Sequence, residues 1–259
     1  MKRNNWTREE LIVVFNLYCK IPFAQLNARN KKVVDVATII GRTSNAVALK
    51  LVNFASLDPY HQQRGIKGMQ NSGKMDKVIY NEFVSNWEDL IYESELLLTK
   101  YNNGEKAVEQ KIQEAILEQT HTREGKDRLR IVKTRVNQSF FRKMVLANYG
   151  SKCAVSNIDI PELLIASHII PWSESEKERL NPQNGICLSP LYDKLFDEGF
   201  MTLREDYTIV FSQKLSKIAD RKAYSNFFAA YDNQKINLPD KFIPKQEFLE
   251  YHRGIIFKH

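Results

Sequence analysis

The stretch Leu163–Leu203 reads LLIASHIIPWSESEKERLNPQNGICLSPLYDKLFDEGFMTL, and its punctuation decides the fold. Leu163–Ile170 is dense in aliphatic residues, which predicts a strand, and it carries His168 near its end. Pro171 and Trp172 close that strand, and the polar loop SESEKERLNPQ follows. Asn184-Gly185 is a turn pair that opens a second short strand, ICLS. PLYDKLFDEG then reads as a helix, with Pro190 in its first turn and Gly199 as its stop. Phe200–Leu203 and Tyr207–Phe211 alternate around an REDY turn, which predicts a hairpin. The order is therefore strand, loop, strand, helix. Histidine stands on the first strand, asparagine starts the second, and an acid lies on the helix.

That order is a ββα layout suited to holding a metal ion. The words SHIIPW and NPQNGICLSPLYDKLFDEGFMTL closely resemble the HNH (ββα-metal) endonuclease domain of bacterial restriction enzymes. The similarity extends upstream to RVNQSFFRKMVLANYGSKCAVSNIDIPELLIASH and downstream to LPDKFIPKQEFLEYHRGIIF. It covers the chain from about Lys126 onward. Several separated words in one order make it specific.

The resemblance implies roles residue by residue. His168 matches the general base, since hydrolysis of a phosphodiester near neutral pH needs a group that takes a proton from water. Asn184 matches the family asparagine, which either binds the metal or braces the loop that orients the base. Its amide oxygen suits a hard cation such as Mg²⁺. The third position falls on Asp193 when counted back from Leu195-Phe196-Asp197, and on Tyr192 if one residue is gapped. Many relatives carry an aspartate just before the base as a metal ligand. This chain has Ser167 there, a poor anionic ligand. The expected metal shell is thus Asp193, Asn184 and the Ser167 position, completed by water and substrate phosphate. The implied cofactor is a divalent cation, Mg²⁺ or another such as Mn²⁺, in a one-metal hydrolysis that leaves 5′-phosphate ends. Lys194 and Arg179 are candidate phosphate clamps. His252 and Trp172 are expected to be structural.

Upstream, Asn5–Phe54 predicts three short helices. Thr7 and Glu10 have capping-box spacing, and Leu11, Val14, Phe15 and Tyr18 share one face. Lys31–Ile40 is a second amphipathic helix, and Thr43 or Ser44 caps a third carrying Val47, Leu51 and Phe54. WTREEL and IGRTSNAVALKLVNF resemble a Myb/SANT-like or helix-turn-helix domain. That likeness implies Arg42 and Lys50 on DNA phosphates or bases. A helical subdomain that simply packs on the rest is the other reading. Tyr60–Met75 predicts a loop, Asp76–Tyr92 a helix, Glu105–Gln119 a charged helix, Arg130–Arg135 a strand and Phe140–Tyr149 a helix. Arg142 and Lys143 add basic residues at the entry to the second domain.

A formal net charge of +7 over 259 residues favours a polyanionic partner, here double-stranded DNA. Cys19, Cys153 and Cys187 form no C-x-x-C pair, which argues against structural zinc and fits a reducing compartment. No apolar run is long enough to span a membrane, so the expectation is a soluble cytoplasmic protein. The expected fold class is α+β. A helical DNA-recognition-like domain (residues 1–100) and a helical linker (101–125) precede a ββα-metal nuclease domain (126–259). The expected function is a DNA endonuclease of restriction or defence type, working as a homodimer where it cuts both strands. The alternatives are a DNA-binding protein with a degenerate HNH site, and a nuclease for RNA or single strands.

Overall fold

The computed structural model describes residues 5–66, 73–103, 125–218 and 220–259. The chain forms two compact units, Met1–Lys143 and Met144–His259. It mixes helices with two small antiparallel sheets. The expected charged helix at 105–119, and most of the linker that holds it, lie outside the described residues.

In the first unit, α1 (Arg8–Lys20) is the central element. Both halves of its capping box form: Glu10 N–H donates to Thr7 Oγ1 at 3.2 Å, and Thr7 N–H donates to Glu10 Oε2 at 2.8 Å. Residues Glu10–Cys19 are all buried, so α1 is enclosed all round rather than along one stripe. Phe15 anchors an aromatic cluster, with Phe83 at 4.4 Å and Phe54 edge-on at 5.0 Å between ring centroids. α2 (Lys31–Ile39) and α3 (Ser44–Ala55) pack against α1, and Thr43 caps α3 through Ala46 N–H.

Ahead of β1 (Ile165–His168), three of the expected elements come out differently among the described residues. Asp58 caps a short helix, α4 (Pro59–Gln63), at the start of the expected Tyr60–Met75 loop. The single helix expected over Asp76–Tyr92 is two, α5 (Lys74–Ser85) and α6 (Trp87–Asn103). Asn86 breaks them at φ −149°, ψ 72°, and its Oδ1 accepts from Asp89 N–H in the next turn. The strand expected over Arg130–Arg135 is instead part of one long helix, α7 (Gly125–Asn148). No Gly or Pro interrupts residues 126–148. Val132, Asn137, Phe140, Phe141, Met144 and Val145 bury a helical stripe there.

In the second unit, β1 (Ile165–His168) pairs antiparallel with β2 (Gly185–Leu188), with His168 opposite Gly185 and Ile165 opposite Leu188. β1 is shorter than the aliphatic run suggests, because Pro161–Leu163 forms a 3₁₀ turn ahead of it. α8 (Pro190–Asp197) packs on both strands. The hairpin β3 (Met201–Leu203) and β4 (Ile209–Phe211) follows. Two short helices, α9 (Gln213–Ile218) and α10 (Arg221–Phe227), lead on to α11 (Gln246–Tyr251). α11 runs into a π-helical segment, His252–Ile256. The sulfur of buried Cys153 accepts N–H bonds from Ser156 and Ser189, and Ala154 N–H donates to the Cys187 carbonyl, which ties the entry segment to the end of β2. Among the described residues no helix is long and apolar enough to cross a membrane.

Candidate active site

The ββα layout places the end of β1 beside α8, and a cleft of about 440 Å³ opens between them. Ser167, His168, Trp172, Asp193 and Asp197 line it, together with His252 from the C-terminal segment.

His168 is held at its Nε2 by the main chain. Its Nε2 lies 2.8 Å from the Arg179 carbonyl oxygen. A carbonyl only accepts, so Nε2 carries the hydrogen, and the neutral ring has its lone pair on Nδ1. Burial lowers the pKa of His168 below the ordinary imidazole value, against the opposing pull of the Arg179 carbonyl. The ring is therefore neutral at pH 7. Trp172 stands edge-on to it at 5.6 Å, and the Arg179 guanidinium lies 5.0 Å over the Trp172 ring.

Asn184 ends a 3₁₀ turn and is fully buried. Its Oδ1 accepts from Ile170 N–H at 2.8 Å. Its Nδ2 donates to the carbonyls of Ile170 (3.1 Å) and Glu178 (3.2 Å). Asn184 thus ties the start (Ile170) and the middle (Glu178) of the loop after His168 to the start of β2. Of the two roles open to it from sequence, this geometry supplies the bracing one. Its side chain does not line the cleft.

On α8 the cleft takes Asp193, while Tyr192 turns away and donates to the Phe227 carbonyl at 2.8 Å. Burial raises the Asp193 pKa, against the lowering effects of Ser167 and Lys194. Sequence reasoning passed over Asp197. It stands one helical turn after Asp193, the spacing that puts two side chains on one face. Its pKa is raised to about 6, first by burial and then by the charge of Asp193. The residue also opens to solvent at the rim, which screens part of that repulsion. A carboxylate in the last turn of a helix opposes the helix dipole as well. Ser167 is 3% exposed, and among the described residues its hydroxyl has no hydrogen-bond partner of ordinary geometry. It lies near enough to Asp193 to lower that pKa without closing such a bond.

Lys194 is exposed and pairs with Glu198 at 2.8 Å. Arg179 pairs loosely with Glu176 at 3.8 Å. His252 is 1% exposed and stacks on Phe196, with ring centroids 3.7 Å apart. Its Nε2–H donates to the Phe196 carbonyl at 3.0 Å, so its Nδ1 accepts from the Thr202 hydroxyl at 2.9 Å. Burial lowers its pKa to about 4.

The expected N-terminal DNA contacts sit elsewhere than on an open face. Arg42 donates to both carboxylate oxygens of Glu10 at 2.8 and 2.9 Å and lies 4.7 Å over Trp6. Lys50 Nζ is 2.7 Å from Asp76, which is fully buried. Both cations are committed to ion pairs inside their unit. Lys143 is exposed and Arg142 half-buried, both on α7.

The donors in the cleft suit a hard divalent cation only in part. Among the described residues no cluster of three or more His, Cys, Asp or Glu side chains is arranged to hold a metal ion. Two carboxylates one turn apart and an unsatisfied buried hydroxyl fit a cation that keeps several waters, as Mg²⁺ does. No curated protein matches the chain. Residues 153–204 match the family described as HNH endonuclease.

Proposed function

We propose that the HNH endonuclease domain at residues 153–204 makes this chain a metal-dependent DNA endonuclease, with His168 as the general base. The observation that carries the reading is the Nε2–H bond from His168 to the Arg179 carbonyl. It puts the lone pair of a neutral imidazole on Nδ1 in a cleft that also holds two carboxylates. His168 Nδ1 takes the proton of the attacking water. Asn184 keeps the loop in register so that the ring keeps its orientation. Asp193 and Asp197 would hold the cation, with Ser167 as a neutral neighbour. When bound, the cation supplies charge neutralisation at the scissile phosphate. Arg179, whose guanidinium lies over the cleft-lining Trp172, is the basic side chain this reading assigns to phosphate.

Nicking of supercoiled plasmid with Mg²⁺ or Mn²⁺ tests the reading. Metal-dependent nicking by wild type and its loss in His168→Ala are expected. Equal background cutting by both would sink it. We further propose a role in restriction or defence, which digestion of methylated and unmethylated DNA with end sequencing checks. Cutting indifferent to both modification and sequence would count against that role.

The lack of a three-residue ligand cluster among the described residues favours a second reading, a DNA-binding protein whose nuclease site has lost its metal. Duplex binding with no nicking at any Mn²⁺ concentration would establish it.

A further inference from the structure

The family match ends at residue 204, yet His252 and Ile256 form part of the cleft wall. They come from the π-helical segment His252–Ile256. Segments of that kind are rare and are found often at functional sites.

This segment is fastened to the end of α8 at two points. His252 Nε2–H donates to the carbonyl of Phe196, and Lys258 N–H donates to the carbonyl of Gly199 at 2.8 Å. Between them the two backbones approach closely. A Cβ built on Gly199 would lie 2.0 Å from the Ile256 carbonyl oxygen. The last turn of a helix leaves carbonyls without intrahelical donors. In α8 the Leu195 carbonyl takes Phe200 N–H, and the Phe196 carbonyl takes Gly199 N–H and the His252 ring. Phe196 stands directly before Asp197, the last residue of α8. The imidazole therefore fixes the turn that carries the second carboxylate.

We propose that His252 is a positioning residue for the Asp193–Asp197 pair, acting through the Phe196 carbonyl and by stacking on the Phe196 ring. Its two ring nitrogens both have protein partners, so it moves no proton in this role. The Thr202 hydroxyl, donating to Nδ1, keeps the ring in the tautomer that donates to Phe196. The C-terminal segment is then part of the site, although it lies outside the matched region. This proposal rests on the reading of the two carboxylates as the cation site.

A buried histidine that only fills space would look the same in a stability measurement, so the test reads metal affinity. Mn²⁺ binding to the full chain is measured by calorimetry, and nicking under single turnover, for wild type, His252→Phe and His252→Gln. Phenylalanine keeps the stack and loses the hydrogen bonds. Glutamine keeps an N–H that can reach the Phe196 carbonyl. The expected result is Mn²⁺ binding weakened roughly 10–100-fold in His252→Phe, with nicking reduced in step, and partial recovery in His252→Gln. Wild-type Mn²⁺ affinity and nicking in a folded His252→Phe protein overturns the proposal, whatever its Tm. Should that variant fail to fold, Thr202→Val releases the ring without changing the shape of the core. Unchanged Mn²⁺ affinity there overturns the proposal equally. If wild type itself binds no Mn²⁺, the cation-site reading fails and the proposal falls with it. Weakening confined to the variants tests the proposal alone.

Discussion

The Nε2–H of His168 donates to the main-chain carbonyl of Arg179 at 2.8 Å, so a backbone group holds the ring at Nε2. A carbonyl partner steadies the ring without the strong rise in pKa that a carboxylate would bring. Burial then dominates and lowers the pKa. Activity needs the neutral ring, so it should persist as pH falls through the ordinary imidazole value of about 6.5 and be lost only below it. Initial nicking rates at saturating Mn²⁺, where bound metal keeps the carboxylates ionised, check the acid limb. A limb above pH 7 would contradict the assignment. His168→Ala should cost about 10²–10⁴-fold in rate.

Asp197→Asn should act in opposite directions on two measurements. The folded-state pKa of Asp197 is raised to about 6, so its ionised form is unfavourable in the fold. Its contribution to stability is greatest at low pH and is lost as pH rises through 6. The neutral amide should therefore raise the Tm of the metal-free chain at pH 7.5 and change it little at pH 4. The same substitution should weaken Mn²⁺ binding. A lowered Tm at pH 7.5 would show that the ionised form of Asp197 is not disfavoured in the fold.

Gly199→Ala should destabilise the second unit by more than about 1 kcal/mol. Gly199 sits at φ 70°, and its missing Cβ faces the Ile256 carbonyl oxygen. Both partners are backbone, so neither can swing aside as a flexible side chain would. Urea unfolding measures the loss, and a Cm equal to wild type would mean that the C-terminal segment yields freely.

Lys50→Ala should lower stability by about 3–5 kcal/mol, because it leaves the buried Asp76 carboxylate without its cation. Asn53 still donates to Asp76 at 2.9 Å, but an amide does not neutralise the charge. Lys50→Ala/Asp76→Ala should recover much of the loss, as a double-mutant cycle would show. Loss of DNA affinity with unchanged stability would instead return Lys50 to a recognition role.

Much of the second unit was legible because its punctuation is local. Gly185 opens β2, Pro190 opens α8, and Pro171 and Gly199 follow within three residues of the ends of β1 and α8. The Arg130–Arg135 stretch misled, since six residues of mixed polarity suit a strand as well as a helix. The burial of Phe140, Phe141, Met144 and Val145 farther on shows which period holds. Asp197 could have been found, because it lies at helical spacing from Asp193. His252 could not, since its contacts with Phe196 and Thr202 cross about fifty residues and leave no local trace. Arg42 and Lys50 show the same limit. Their charge is plain in the sequence, but the partners that hold them, Glu10 and Asp76, are visible only in three dimensions.

The close approach of Gly199 and Ile256 also bears on the order of events during synthesis. The strands and the carboxylate helix are translated first, and the segment that presses on them follows well behind. Until it emerges from the ribosome, the last turn of that helix has one fewer donor and nothing packed over its glycine. A growing chain thus carries Asp193 and Asp197 before it carries the segment that packs on the turn after them.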